Sequence, residues 1–272
     1  MPLLVCATPI GNLDDVTLRV LEALRRADAV LCEDTRHTRI LLDRHGVRAR
    51  ALLSLHRLNE ERRSADVLPR LRAGETIALV SDAGMPGIAD PGGRLVARAV
   101  EAGVEVVVLP GASAVQAALL SSGFLGDGPY RFAGWLPRRE SERAAFWAAL
   151  GSVPEPVVAF ESPRRVIGSL RSLAAHDPTR HVCVCRELTK LHETVLRGAA
   201  AEVLEALGPE PRGEITVVLA PAGPEVAASA ALDGALAAVR ELVGAGTPRR
   251  VAAAVVARIT GVARNRLYAD DL

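Results

Sequence analysis

Five short apolar runs, Leu3 to Ala7, Ala29 to Cys32, Ala51 to Leu55, Ile77 to Ser81 and Val104 to Leu109, are separated by stretches in which apolar positions recur at helical spacing. Uninterrupted apolar runs of this length, without polar alternation, are the pattern of strands buried on both faces. Asp14-Asp15 reads as the cap of a helix with Val16, Val20, Leu21 and Leu24 on one face, and Thr35 opens another that closes at Gly46. This alternation predicts a parallel sheet covered by helices.

After Gly123 the rhythm changes. A Gly/Pro-rich stretch from Gly126 to Pro129 precedes new strands at Tyr130 to Trp135, Val157 to Glu161, Val182 to Arg186, Thr194 to Arg197 and Glu214 to Ala220. The segment from Glu193 to Gly198 follows its predecessor after a short turn, which predicts an antiparallel pair and a mixed sheet. Pro221-Ala222-Gly223-Pro224 and the Ala-rich stretch to Ala231 read as a linker. Beyond it, Thr247-Pro248 opens a helix with Ala252, Val255, Val256 and Ile259 on one face, Gly261 ends it, and Asn265 to Tyr268 starts another. The expected organisation is therefore α/β for 1–122, a second α/β unit for 123–222, and a linker with a small helix-turn-helix-like unit for 223–272.

Composition narrows the function classes. With 272 residues, 49% of them hydrophobic, the chain can bury substantial cores without disulfides. Its N-terminal apolar run is too short for a membrane span and lacks the basic start of a signal peptide, so a cytoplasmic location and no membrane partner are expected. Cys6, Cys32, Cys183 and Cys185 include no C-x-x-C spacing; the C-x-C pair points two thiols to one face of a strand, and all four read as buried small hydrophobes with no metal site. The formal net charge is only +1, yet 32 of the 33 basic residues are arginine and Lys190 is the single lysine. Local arginine clusters therefore matter more than the total.

The loops after the strands carry the chemistry, because open α/β sheets bind ligands beyond the carboxyl ends of their strands. Thr8-Pro9-Ile10-Gly11-Asn12 follows the first run. Ser81 to Gly93 holds four glycines, two prolines and two aspartates, letting backbone approach a ligand while carboxylates accept hydrogen bonds from an amine or a ribose. Pro110-Gly111-Ala112-Ser113-Ala114 closes the set. None matches the P-loop or G-x-G-x-x-G pattern, which disfavours a nucleotide triphosphatase or an ordinary dinucleotide enzyme.

The strings Ala7 to Leu13, Cys32-Glu33-Asp34-Thr35-Arg36-His37-Thr38-Arg39, Ser81 to Ile88, Gly134-Trp135-Leu136-Pro137-Arg138 and Arg186-Glu187-Leu188-Thr189-Lys190-Leu191-His192-Glu193 resemble, in order and spacing, the ribosomal small subunit methyltransferase I family. The resemblance covers nearly the whole chain. It departs at Met85, where a threonine is usual, at Ala89, where a serine is, and at Ala112-Ser113, where Pro-Ser is. What it implies is the tetrapyrrole-methylase (class III methyltransferase) fold, two α/β domains with a cofactor cleft between them. It further implies a homodimer that moves a methyl group from S-adenosylmethionine to the 2′-hydroxyl of a decoding-centre cytidine of 16S rRNA in the 30S subunit. Pro9, Ile10, Gly11, Asp82, Ala83, Gly84, Met85, Ile88, Ser113, Ala114, Phe160 and Leu188 are then expected at the cofactor.

A ribose hydroxyl is a poor nucleophile at neutral pH, so a carboxylate, histidine or lysine of depressed pKa beside it would help. Glu33, Asp34, Glu187 and Lys190 are the catalytic candidates; Asp34 reads equally well as a helix N-cap. Arg36, His37, Arg39, Arg138, Arg139, Arg249 and Arg250 are the candidates for gripping RNA phosphates, with Arg143 beside them and Arg258, Arg264 and Arg266 adding to the local charge against Asp270 and Asp271. Competing readings are a tetrapyrrole or protein methyltransferase on the same fold, and a ligand-sensing regulator that binds DNA through the helix pair.

Overall fold

The computed structural model describes residues 2–151 and 153–268, with the backbone alone for 224–231. The first sheet comprises β1 (Leu3–Cys6), β2 (Ala29–Cys32), β3 (Leu52–Ser54), β4 (Ile77–Leu79) and β5 (Val106–Leu109) in the order β3-β2-β4-β1-β5, every pairing parallel. Helices α1 (Leu18–Arg26), α2 (Thr35–Arg44), α3 (Glu60–Arg72), α4 (Gly93–Glu101) and α5 (Ala114–Ser122) alternate with the strands. Two apolar clusters, one around Val20, Leu24, Val30 and Leu42 and one around Leu31, Leu71, Leu79 and Leu95, bury the two faces of the sheet.

Strand order matters most for function. β4, β1 and β5 are adjacent, so the three Gly/Pro-rich loops, far apart in sequence, emerge side by side. The Asp14-Asp15 cap is corrected: Asn12 accepts a hydrogen bond from the Asp14 N–H and closes one 3-10 turn over Leu13–Asp15. Val16 is extended, and α1 is capped instead by Thr17, whose hydroxyl accepts from the Val20 N–H.

The second sheet runs β6 (Arg131–Trp135), β7 (Val157–Glu161), β10 (Ile215–Leu219), β8 (His181–Arg186) and β9 (Thr194–Ala199). β6 and β7 are parallel, while β10 is antiparallel to both its neighbours and β8 to β9. Helices α6 (Glu140–Leu150), α7 (Val166–His176) and α8 (Ala200–Leu207) cover one face. The other receives α5: Val115, Ala118 and Leu119 pack on Val158, Cys183, Cys185 and Val218. One helix thus follows the first sheet in sequence and buries its apolar side against the second, and all four cysteines are buried free thiols. Burial pushes the Cys6 thiol up to about 12, so it stays protonated.

The linker expected to reach Ala231 is not irregular, because α9 spans Pro224–Gly244 with proline at its start, where a missing N–H costs nothing. α10 (Arg249–Thr260) begins one residue later than expected, and the segment after Gly261 is a 3-10 helix, Arg264–Tyr268. These elements share a core of Ala235, Val239, Ala252, Ala253, Val256 and Leu267. Asp270 and Asp271 lie outside the described residues. No described helix is long and apolar enough to cross a membrane.

Candidate active site

The loops after β1 and β4 are zipped together. Thr8 and Gly84 exchange backbone hydrogen bonds of 2.9 and 3.0 Å, and the Thr8 hydroxyl donates to the Ser81 carbonyl at 3.0 Å. The same β1 loop meets the loop after β8: the Asn12 N–H donates to Thr189 Oγ1 at 2.9 Å. Glu187 and Thr189 both adopt left-handed backbone, with φ of 54° and 65°, which folds residues 187–190 back toward Glu214. The Glu187 N–H donates to the Glu214 carbonyl and the Glu214 N–H to Glu187 Oε1.

A cavity of about 280 Å³ opens where these loops converge, close to the lower limit of small-molecule sites at roughly 300 Å³. Its wall is mostly apolar, with Trp135 and Phe160 in edge-to-face contact at 5.7 Å on the side of the second sheet. Small residues, among them Ala83, Gly84, Ala89, Ser113, Ala114 and Gly213, leave backbone groups accessible. Aromatic faces suit a purine, and backbone donors and acceptors beside carboxylates suit a ribose and an amino acid end, so the lining matches the chemistry of S-adenosylmethionine.

Carboxylates crowd one side of this cavity. Asp90 lines it; burial, and then Glu33, Asp82 and Glu214, raise its pKa to about 6 from an ordinary 3.8, with Arg57 opposing. Glu33 is raised as well, by burial and then by Asp82. Lys190 Nζ bridges Glu187 Oε1 at 2.9 Å and Glu214 Oε2 at 2.8 Å. Burial alone would lower the lysine, but the hydrogen bonds to Glu214 and Glu187 outweigh it and hold its pKa above the usual value. Lys190 is therefore a fixed cation, which corrects the expectation of a lysine of depressed pKa.

Of the residues expected at the cofactor, Ile10, Ala83, Gly84, Met85, Ile88, Ser113, Ala114, Phe160 and Leu188 line the cavity. Pro9, Gly11 and Asp82 do not: Asp82 Oδ1 accepts from the Asp34 N–H at 3.1 Å, joining the loops after β2 and β4. None of the four catalytic candidates lines it either. Glu33 lies close enough to Asp90 to raise its pKa, and Glu187 and Lys190 flank the lining residue Glu214. Asp34 caps α2, accepting from the Arg36 N–H at 2.8 Å and pairing with the Arg36 guanidinium at 2.7 Å. The Arg36 side chain, then its backbone N–H, hold that carboxyl far below the usual range. It is a cap, already fully engaged.

The phosphate candidates scatter. Arg36, His37 and Arg39 are exposed on α2 and Arg138 and Arg139 before α6, Arg139 pairing with Glu142 at 3.3 Å. Arg143 is buried and paired with Glu140, so it belongs to the packing of α6. Arg250 joins Arg258 and Arg264 around a shallow depression floored by Val251, Ala254 and Val255, while Arg249 is half-buried.

Trp135, Glu161, Glu214 and Asp90 also line the cavity; Trp135 and Asp90 fall in segments the sequence marks, without a role assigned to either, and Glu161 and Glu214 are marked only as ends of strands. Glu161 is a structural ion: its side chain, fully inaccessible, is paired with Arg165 at 2.5 Å and accepts from Ser169 Oγ and the Ser162 N–H. The Gly134-Trp135 string is visible along the chain, but only the irregular β6–β7 register, with Gly134 at φ 70°, puts the indole beside Phe160.

The family model of tetrapyrrole (corrin/porphyrin) methylases matches residues 2–204. The chain is 46% identical over 265 residues to the ribosomal RNA small subunit methyltransferase I of Micromonospora olivasterospora, across 96% of this chain and 83% of that protein. A crystal structure of diphthine synthase superposes with a TM-score of 0.63 at 20% identity, covering 81% of this chain and 90% of that one. The uroporphyrin-III C-methyltransferase of Thermus thermophilus, in complex with S-adenosylhomocysteine, superposes at 0.57 with 19% identity, covering 81% and 97%.

Proposed function

The chain belongs to the tetrapyrrole methylase family, among its ribosomal RNA small subunit methyltransferase I members, and from that premise we propose that it methylates the ribose 2′-hydroxyl of a decoding-centre cytidine in 16S rRNA. S-adenosylmethionine, when bound, supplies the electrophilic methyl group. The observation that carries the reading is the cavity at the meeting of the β1, β4 and β5 loops with the second sheet: its lining holds both an aromatic pair and carboxylates, and exposed arginines lie on α2 and before α6. The aromatic and small lining residues bind and orient the adenosyl part and exclude water; the carboxylates handle the proton of the attacking hydroxyl; the arginines meet phosphates.

The substrate is the RNA within the 30S subunit, and the enzyme works as a cytoplasmic homodimer. The basic depression on α10 supports an RNA over a tetrapyrrole or a protein side chain, neither of which needs such a surface. Val108 on the edge strand β5 and Leu120 on α5, 54% and 70% exposed, are apolar surface that a second copy would cover. The test is incubation with labelled S-adenosylmethionine and unmethylated 30S subunits, digestion to nucleosides and mass spectrometry. A 2′-O-methylcytidine product supports the proposal; a methylated base or no product refutes it.

A further inference from the structure

We infer that Asp90 is the group that takes the proton from the attacking hydroxyl, a role that rests on the ribose-methylation reading above. Elimination by hydrogen bonding leads to it. Around the cavity, Asp34 is engaged by Arg36, Asp82 by the Asp34 N–H, Glu161 by Arg165 and Ser169, Glu187 by Lys190 and the Glu214 N–H, and Glu214 by Lys190. Glu60, deeper in the fold, is taken up by the N–H groups of Gly92 and Arg94 at the start of α4. Among the described residues only Glu33 and Asp90 in this group have no hydrogen-bond donor, and of the two only Asp90 lines the cavity. A carboxylate whose charged form is stabilised by an N–H donor or a cation binds a proton less readily; one with no donor keeps its affinity for it.

The backbone fixes Asp90 there. Ala89 adopts φ 65°, unfavourable for a residue with a β-carbon, and its carbonyl is held by the Arg57 guanidinium at 2.8 Å. Two residues on, the Pro91 carbonyl accepts from the Gly87 N–H at 3.2 Å, and Gly92 is tied to the buried Glu60. The turn is clamped on both sides of the aspartate. Burial first, and then Glu33 from the β2 loop, Asp82 from the β4 loop and Glu214 at the start of β10 as like charges, with the Arg57 cation opposing them, make it a stronger base than an ordinary carboxylate. In the step itself the 2′-oxygen bonds to the methyl carbon as the carbon–sulfur pair stays on sulfur. The hydroxyl proton passes to an Asp90 carboxylate oxygen and from there to water.

The test compares wild type with Asp90→Asn and Asp90→Glu. Single-turnover methylation at saturating 30S subunits should fall by about 100-fold or more in Asp90→Asn, within the range for general-base help. S-adenosylhomocysteine affinity by calorimetry should stay within about threefold, and Asp90→Glu should recover part of the rate. The wild-type rate should rise with pH through about 6, and Asp90→Asn should lose that limb. Independently of activity, carbon-13 carboxyl NMR should show a signal titrating near pH 6 that vanishes in Asp90→Asn. An Asp90→Asn variant that methylates the ribose at the wild-type rate, or an Asp90 carboxyl titrating in the ordinary range, overturns the inference alone. A wild type that methylates a base instead overturns the ribose reading and this inference with it, since no hydroxyl proton is then removed.

Discussion

Gly11 is packed so closely on Lys190 that a β-carbon built on it would lie 2.5 Å from Lys190 Cγ, with the Leu188 carbonyl oxygen and Thr189 Oγ1 each 2.7 Å away. The lysine stem could swing aside, but the Leu188 carbonyl is backbone and cannot move without moving the loop. That loop carries Leu188 into the cavity wall and is bound to Asn12 through Thr189. Gly11→Ala should therefore cost about 1–3 kcal/mol of stability, as overpacking does, and weaken S-adenosylhomocysteine binding by roughly tenfold. Urea melts and calorimetry check both; unchanged affinity would show that the packing of these two loops does not shape the cavity.

Much of this is legible along the chain, and the reasons for the remainder are physical. All ten strands among the described residues fall on the runs that mark them in the sequence; for β2, β4, β7 and β10, buried along nearly their whole length, the reason is that a strand buried on both faces leaves no room for polar alternation. Three loops are marked by glycine and proline, and their adjacency follows once β4 inserts between β2 and β1. The Asp14-Asp15 pair misplaces the start of α1, since it looks like a cap but sits in a 3-10 turn governed by Asn12. The Ala-rich start of α9 reads as a linker because low side-chain complexity resembles loop composition, although alanine is the strongest helix former. Asp90 is visible as one of the two aspartates of its loop, but what separates it from the other is not. Its sequence surroundings resemble those of Asp82, and only the folded chain commits one to a backbone N–H and leaves the other without a donor.

That uncommitted carboxylate should also carry a stability cost. A folded-state pKa near 6 against an ordinary 3.8 means the folded chain holds the proton more tightly than the unfolded chain does. Stability then falls as pH rises from about 4 to about 6, and the cost is fully present above that window; the shift corresponds to at most about 3 kcal/mol. Asp90→Asn should be more stable than wild type at pH 7 and equal to it near pH 3.5. Paired urea midpoints across this range check it, and a variant no more stable at pH 7 would contradict the burial of Asp90 and its repulsion by Glu33, Asp82 and Glu214.

On the C-terminal helices, Arg250, Arg258 and Arg264 surround one depression, and Arg264 also lies over the Tyr268 ring at 5.7 Å. If these arginines meet RNA phosphates, the triple variant Arg250→Gln, Arg258→Gln, Arg264→Gln should bind 30S subunits more weakly. The slope of log affinity against log salt should become shallower by about 0.7–0.9 for each phosphate no longer neutralised. The α9–α10 core is formed by other side chains, so S-adenosylhomocysteine affinity should be unchanged and melting should shift only slightly, through the lost Arg264 bonds to Tyr268 and the Arg250 carbonyl. Filter binding from 50 to 200 mM salt decides it: an unaltered slope would remove this surface from RNA recognition.

At Lys190 a fixed cation and a proton shuttle leave different signatures. Its ammonium bridges Glu187 and Glu214, and its pKa lies above the ordinary 10.5 because those hydrogen bonds outweigh burial. A lysine raised on folding contributes stability that is fully present below its unfolded pKa and is lost as pH climbs past 10.5 through the folded value. The stability difference between wild type and Lys190→Met should accordingly be flat from neutral pH to about 10 and shrink above it. With Lys190 31% and Glu214 67% exposed, solvent screening keeps that difference to about 1 kcal/mol or less. Function should respond through geometry: without the bridge, residues 187–190 lose their tie to Glu214, so Lys190→Met should weaken cofactor binding while single turnover at saturating cofactor and RNA stays within about threefold of wild type. Lys190→Arg, which keeps the charge, should recover most of the affinity. A single-turnover rate lowered about 100-fold at saturation, with affinity intact, would instead put the lysine in the chemical step and remove its role as a brace.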